Sequence, residues 1–253
     1  NDLYIYSNSE VYLPYSAYQV FRELNNATSI NFNGLLKSNY TISLYWLFCR
    51  DFKLESIDLS GFDTSKVDDL GCMFEQCSSL VNVDLSNFDT SKVFNFSYLF
   101  SNCHSLVSVD LSGFDFSNAT SFNRMFAGCE KLTTIYCNVD FKKIGNLTGV
   151  ATENIFTDSR MLPGFVSSNT NIDFANPDTG YFTPNYMINF YSLDSTFRQG
   201  ATSLTFTNSV LDDSYTFMAN VDSRNLGFIK LYSKNNDLYI YSNSEVYLPY
   251  SAY

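Results

Sequence analysis

The sequence predicts an α+β repeat fold, a solenoid with one strand and one short helix per turn and a parallel sheet, followed by a small antiparallel all-β module. Three observations lead there. Residues from Leu54 to Lys131 are three copies of one 26-residue phrase, starting at Leu54, Leu80 and Leu106, and a fourth opens at Leu132. Within each copy an alternating segment gives way to one with helical spacing. Beyond Pro184 the helical spacing stops, and only alternating segments separated by turn residues remain. A fixed period of roughly 20 to 50 residues marks units that cannot bury their apolar face alone and must stack.

The first half of each unit reads as a strand. Ile57 and Leu59 alternate with Ser56, Asp58 and Ser60, and the next copies repeat this with Val83/Leu85 and Val109/Leu111. Phe62, Phe88 and Phe114 then fall where common leucine-rich repeats carry Asn or Cys, so a stack of rings is expected in place of an amide ladder. In the second half Val67, Leu70, Met73, Phe74 and Cys77 follow helical spacing, as do Val93, Phe96, Leu99, Phe100, Cys103 and Ala119, Phe122, Met125, Phe126, Cys129. Asp63-Thr64-Ser65 and Asp89-Thr90-Ser91 supply N-cap chemistry for these helices.

The pattern decays towards both ends. Ala27–Phe32 mirrors Leu54–Leu59, with Leu44, Leu47 and Phe48 as its helix and Asp51 where later units have Cys; Val20-Phe21 reads as the tail of an earlier helix. Forward, Leu132–Cys137 is a last strand, and Ile155-Phe156 with Leu162 a degenerate last helix.

The phrases LESIDLSGFDTSKV and VNVDLSNFDTSKV, with their M-F-x-x-C-x-x-L tails, resemble the BspA-like leucine-rich-repeat surface proteins of bacteria and the related mycoplasma lipoprotein repeats. NPDTGYFTPN, from Asn176 to Asn185, resembles the short capping segment that follows such repeats. The resemblance covers roughly residues 20 to 185 and implies a surface-displayed, adhesion-type protein. It supplies no catalytic residue.

Composition narrows the function. With 45% apolar residues in 253, the chain can hold a real core. A net charge of −11 argues against nucleic acid or anionic lipid as partner, since no basic stripe exists to release counterions. No apolar run approaches the ~20 residues that span a bilayer. Residues 1–18 recur letter for letter as 236–253, which points to a piece of a tandem array with a large period of 235 residues, whose export signal and anchor would lie outside it.

Cys77, Cys103 and Cys129 share one repeat position and Cys137 takes a strand position held elsewhere by Leu85 and Leu111, so they read as free thiols in a core. The pattern leaves the redox state of Cys49 and Cys72 open. No C-x-x-C pair exists and His104 is the single histidine, so no metal site is expected.

At the flanks, Leu3–Tyr6 and Val11–Leu13 read as two short strands that close the open end of the repeats. The β-module strands are Met187–Leu193, Ser203–Thr207, Tyr215–Val221, Gly227–Tyr232, Leu238–Tyr241 and Val246–Leu248. The organisation expected is a joint at 1–18, the solenoid with its caps at 19–183, the β-module at 184–235, and a second copy of the joint at 236–253.

The sharpest site candidate is the concave strand face, where Asp58, Asp84 and Asp110 with Ser60, Ser86, Ser112, Asn82 and Tyr136 should stand in rows. Carboxylates about 5 Å apart in water repel by only ~0.8 kcal/mol per pair, so a plain solvated face needs no ligand. Against that stand docking of a protein or glycan and, as the one metal role left open, Ca²⁺ bridging. The second candidate is the set of joint tyrosines, Tyr4, Tyr6, Tyr12 and Tyr15 with Tyr239, Tyr241 and Tyr247, since Tyr among Ser and Asn makes an adaptable contact surface. Asp63, Asp89 and Asp115 read as caps, and the sequons at Asn26, Asn39, Asn95, Asn118 and Asn146 as chance in an Asn/Ser/Thr-rich chain.

Catalysis has little to stand on. A triad would have to use His104, no pair of carboxylates is set apart, and no phosphate-cradling glycine loop occurs. The reading is a non-enzymatic extracellular structural or adhesive protein without cofactor, whose partners are other copies of itself end to end. The alternative is a module that binds a protein or glycan on its concave face, and an exported hydrolase is the weakest reading.

Overall fold

The computed structural model describes residues 9–32, 35–144 and 152–183, with the strand residues 186–187, 203–207, 216–220, 229–234, 237–242 and 246–247. The chain forms two compact units, Asn1–Thr183 and Pro184–Tyr253.

In the first unit the strands are short and pair in parallel. β1 (Val11–Tyr12) pairs with β3 (Leu36–Lys37), and β2 (Ser29–Ile30) pairs with β4 (Ser56–Ile57). β5 (Ser108–Asp110), β6 (Thr134–Tyr136) and β7 (Phe182–Thr183) form a three-stranded sheet in that order. A second parallel ladder of single bridges runs Ser16, Ser43, Asp69, Asn95, Ser121. Equivalent residues of successive copies are therefore neighbours, and a one-residue slip would turn the apolar set outwards. The leucine that opens each copy, at 54, 80, 106 and 132, has no exposed surface, and Leu59, Leu85 and Leu111 are buried in the same core. Each such leucine contributes about 2 kcal/mol.

The helix expected in each copy is absent; among the described residues the helical pieces are short 3-10 turns such as Phe141–Lys143 and Ile172–Phe174. The reason lies in two positions per copy with left-handed backbone: Trp46 and Arg50, then Cys72 and Gln76, Tyr98 and Asn102, Arg124 and Gly128, Asn154 and Asp158. A left-handed residue every fourth position ends a helix before its ladder can start. The N–H groups instead alternate between a tight turn and the neighbouring copy. Met73 donates to Leu70 O at 3.2 Å, whereas Phe74 donates to Leu99 O at 3.1 Å and Gln76 to Ser101 O at 2.7 Å. Phe48, Phe100 and Phe126 donate in the same way to Met73, Met125 and Ile155. Helical spacing of apolar residues and lateral bonding of their backbone coexist because a run of tight turns also brings every third or fourth side chain inwards.

The expected ring stack at Phe62, Phe88 and Phe114 is also corrected. These rings are buried, but Phe62 meets Phe32 and Phe48 at a tilt, and Phe114 meets Phe96 and Phe116. The continuous column is Phe21, Phe48, Phe74, Phe100, Phe126, Phe156, whose centroids lie 5.6 to 5.9 Å apart with planes within 12°. That is offset stacking, the favoured parallel arrangement.

The amide ladder has a hydroxyl counterpart. The Ser38, Thr64 and Thr90 hydroxyls each accept from the backbone N–H of Asp63, Asp89 and Asp115 and donate back to the same residue's carbonyl, at 2.7–3.1 Å. Asp63, Asp89 and Asp115 accept from the N–H two residues on, so they hold turns and cap no helix. The thiols form another column: Cys77, Cys103 and Cys129 donate to the carbonyls of Phe48, Phe74 and Phe100 at 3.0–3.1 Å, and Ser159 continues it onto Phe126 at 2.6 Å. All six cysteines are free and buried.

The turns at the two ends of this unit depart from the repeated phrase. Phe21 donates to Leu47 O, so Ala17–Leu24 is a full turn and not merely a helix tail. At the other end the buried Asn176 side chain accepts from the N–H groups of Asp178, Thr179 and Gly180 at 2.8–3.1 Å. This turn needs Gly180, because a Cβ there would collide with Phe174 O. It delivers Phe182 to the edge of β6.

In the second unit β8 (Tyr186–Met187) pairs in parallel with β13 (Val246–Tyr247). β9 (Ser203–Thr207), β10 (Thr216–Asn220), β11 (Ile229–Lys234) and β12 (Asp237–Ser242) form one sheet ordered β10-β11-β12-β9. The module is mixed where an all-antiparallel one was expected, because β12 runs parallel to β9. Alternation along a strand is blind to the direction of its neighbour.

Candidate functional site

The strand wall carries the predicted acidic row, and each carboxylate is tied into its own turn. Asp58, Asp84 and Asp110 accept from the N–H of Ser60, Ser86 and Ser112 at 3.0, 2.9 and 2.8 Å. The Ser60 hydroxyl and N–H hold the Asp58 carboxyl below the usual carboxylate range. Asp84, Asp110, Ser60, Ser86 and Asn82 are exposed, while Asp58, Ser112 and Tyr136 are half-buried. Tyr136 stands opposite Asp110 across β6 and β5. Among the described residues no group of three or more His, Cys, Asp or Glu is arranged to hold a metal ion.

The strand wall is interrupted at the second copy, where the strand expected at Val83 and Leu85 does not form and 82–86 pair with neither Ser56–Ile57 nor Ser108–Asp110. Among the described residues no strand pairing joins 56–60 to 82–86, and a groove of about 140 Å³ opens there, lined by Ile57, Asp58, Leu59, Ser60, Asp84, Ser86 and Asn87. Asn87 stands where the flanking copies have Gly61 and Gly113, and its amide donates to Leu59 O at 3.1 Å and Phe62 O at 3.0 Å. A side chain thus satisfies carbonyls of the preceding turn. The groove brings together Asp58, Ser60, Asp84 and Ser86 of the predicted row and leaves Asp110, Ser112 and Tyr136 apart. The one signal for it in the sequence is the change from Gly to Asn in L-S-N-F-D.

Of the joint tyrosines, Tyr4 and Tyr6 lie outside the described residues. Tyr15 is exposed; Tyr12 is exposed beside Tyr40, with its hydroxyl donating to Glu10 at 2.6 Å, which raises the phenol pKa. Tyr239 and Tyr241 sit in β12 opposite Tyr232 and Lys230, and Tyr247 in β13 opposite Met187.

Two features escaped the sequence reading. Tyr18, Tyr45 and Trp46 lie 5.4–5.9 Å apart with planes within 16°, and Arg22 stacks 4.6 Å over Trp46. Burial, then the Cys72 thiol, pushes the Tyr45 phenol up, and burial first also pushes Cys72 up to about 12. The second is Asp51, which has no exposed surface: its Oδ1 accepts from Leu24 N–H at 2.6 Å, Oδ2 has no partner, and burial pushes its pKa up to about 7. Asp51 holds the position that Cys77, Cys103 and Cys129 hold later, which is why the column stops there.

Equivalent positions of successive sequence copies pair in parallel at the 26-residue offset from Ser108–Asp110 to Thr134–Tyr136 and along the bridges Ser43, Asp69, Asn95, Ser121. Residues 42–165 match the profile of a Mycoplasma protein family of unknown function, DUF285. No curated protein and no solved structure matches the chain. Among the described residues no helix is long and apolar enough to cross a membrane.

Proposed function

We propose that this chain is one unit of an extracellular, non-enzymatic tandem array: a BspA-like leucine-rich-repeat solenoid followed by a β-module, spaced along a bacterial cell surface as an adhesive stalk or filament. The observation that carries the reading is the double use of one 18-residue segment. Its first copy gives β1, paired to β3 in the first unit; its second gives β12 and β13, paired within the second unit. One segment in an uncut array then makes both sets of contacts and serves as a joint between consecutive units, with other copies of the chain as its partners. Electron microscopy of a protein carrying two or more of the 235-residue periods tests this. A filament of uniform axial spacing is expected, and units that swing freely at irregular spacing would overturn it.

A second reading has its own support in the groove between Leu59 and Asp84. A concavity flanked by two carboxylates and an amide suits a hydroxyl-rich glycan or a protein loop. Here Asp84→Asn, which keeps an oxygen to accept from Ser86 N–H, abolishes one specific interaction while stability stays within about 0.5 kcal/mol, because the side chain is exposed. Unchanged binding to a glycan panel by the variant would remove this reading.

A further inference from the structure

The aromatic rings around Trp46 are layered in the direction of the repeats. The bridges Ser16, Ser43 and Asp69 set the register, so Tyr18, Tyr45 and Gly71 are equivalent positions two residues further along. Gly71 leaves room for the ring above it, because a Cβ there would lie 2.8 Å from Tyr45 Cδ2. Tyr18 stacks on Tyr45 with planes 3° apart, and the Arg22 guanidinium lies 4.6 Å over Trp46. An upper layer, Tyr18 and Arg22, thus rests on a lower one, Tyr45 and Trp46, whose rings are parallel within 13°.

The free side of the upper layer has a fixed direction. N–H groups of one turn donate to carbonyls of the following turn, as Trp46 does to Gly71 and Phe48 to Met73, so the carbonyls point back towards the preceding turn. In the turn 17–24 the equivalent carbonyls belong to Tyr18, Val20 and Arg22, and among the described residues none of them accepts a backbone N–H. Tyr18 spends one ring face on Tyr45 of the following turn, which leaves the other directed the same way as these carbonyls; the side chain is 50% exposed. Residues 184–235, which precede the second copy of the opening segment, contain no 26-residue phrase, so in a tandem array the turn 17–24 still opens its stack.

Few ligands match an aromatic face framed by acceptors alone. An extended peptide presents N–H and C=O groups alternately along its edge, and a cation would meet Arg22. An anion sets acceptors against acceptors, beside a Glu23 that already pairs with Arg22 at 2.9 Å. A pyranose ring offers a face of C–H groups, which the negative face of an aromatic ring attracts, and hydroxyls that donate to carbonyls. The layers hold Tyr18 in place before a ligand arrives, so little side-chain freedom is lost on binding.

We propose that Tyr18, on its support of Tyr45, Trp46 and Arg22, stacks a pyranose ring of a neutral glycan whose hydroxyls donate to the carbonyls of Tyr18, Val20 and Arg22. This site is apart from the groove at Asn87 and needs neither that groove nor the joint in order to bind.

Trp46 is the single tryptophan, and its emission reports on the layer directly above it. Titration of the full chain with cellotetraose, N-acetylated chitotriose and lactose is expected to shift that emission for at least one probe. Tyr18→Ala should weaken this binding about ten-fold and Tyr18→Phe should hold it within about two-fold, while Tyr15→Ala and Asp84→Asn leave it unchanged. Without any variant, saturation of aromatic protons in nuclear magnetic resonance should pass to ring C–H protons of the bound probe, which the groove, having no aromatic lining, would not produce. The proposal is overturned if no neutral probe shifts the emission, if Tyr18→Ala binds as the parent does, if Asp84→Asn abolishes the binding, or if a sialylated probe binds and the neutral ones do not. A protein carrying two of the 235-residue periods should take two probes per chain. One per chain would show that a neighbouring unit is the occupant of this end, and would overturn the glycan while leaving the axial spacing, on which the joint reading depends, untouched.

Discussion

At the scale of single residues, polar side chains inside the first unit decide what each turn tolerates. Asp51 is the clearest. Its folded pKa of about 7 exceeds the ordinary 3.8, with burial as the main cause, the Leu24 and Glu23 N–H groups opposing it and the Glu23 charge adding to it. A raised carboxyl pKa means that the folded state holds a proton the unfolded chain has released. The stabilisation is therefore complete below about pH 4 and lost as pH rises to about 7. Partly exposed Glu23 and Arg50 side chains admit solvent nearby, so the amplitude is on the order of 2 kcal/mol and not the ~4 of unscreened linkage. Asp51→Asn keeps the bond from Leu24, leaves no carboxyl to titrate, and should flatten stability between pH 4 and 7 in urea titrations. Thr64 offers a second test. Thr64→Val leaves the N–H and carbonyl of Asp89 without their partner and should cost about 2 kcal/mol, whereas Asn82→Ala, on an exposed side chain, should stay within ~0.5.

At the scale of the element, the repeating piece is a strand or extended segment, a hydroxyl bridge, and a series of tight turns with two left-handed residues. It has no internal ladder: tight turns such as Met73 to Leu70 and Cys77 to Phe74 bond within the copy, and the alternate N–H groups bond to the copy beside it, so a copy taken alone keeps only its turns. The phenylalanine column is the apolar counterpart. Phe74 lies between Phe48 and Phe100 with no exposed surface, and Phe74→Ala should cost about 4 kcal/mol through the cavity it leaves and two lost stacking contacts. Phe94→Ala, on a ring that is 42% exposed, is the matched control and should change the denaturation midpoint little.

At the scale of the molecule, the described residues of the first unit gain their order from neighbours in sequence-distant copies. The thiols report this. Cys77, Cys103 and Cys129 are buried with pKa values pushed up, above all by burial, and Cys49 and Cys72 reach about 12. Alkylation of the native protein should therefore be slow for every cysteine. All six should react together as the unit unfolds, with rates that follow global stability across a urea series. Piecemeal labelling of single thiols well below the unfolding midpoint would show that the copies open one at a time.

The amino-acid sequence alone determined the period, the pairing register and the interior of the first unit, because the letters at Leu54, Leu80 and Leu106 or at Phe74, Phe100 and Phe126 recur, and identical units can bury identical positions only by lying side by side. It also exposed the duplicated segment. Tertiary structure decided where the backbone bonds go. Apolar residues at i, i+3 and i+7 suit a helix and a run of tight turns equally, and the choice fell to turns because a neighbouring copy offers every other N–H a carbonyl that no local signal announces. The same cause hid the groove at Asn87, the unlike role of Asp51, and the parallel run of β12 beside β9: each is a relation between residues far apart in the chain.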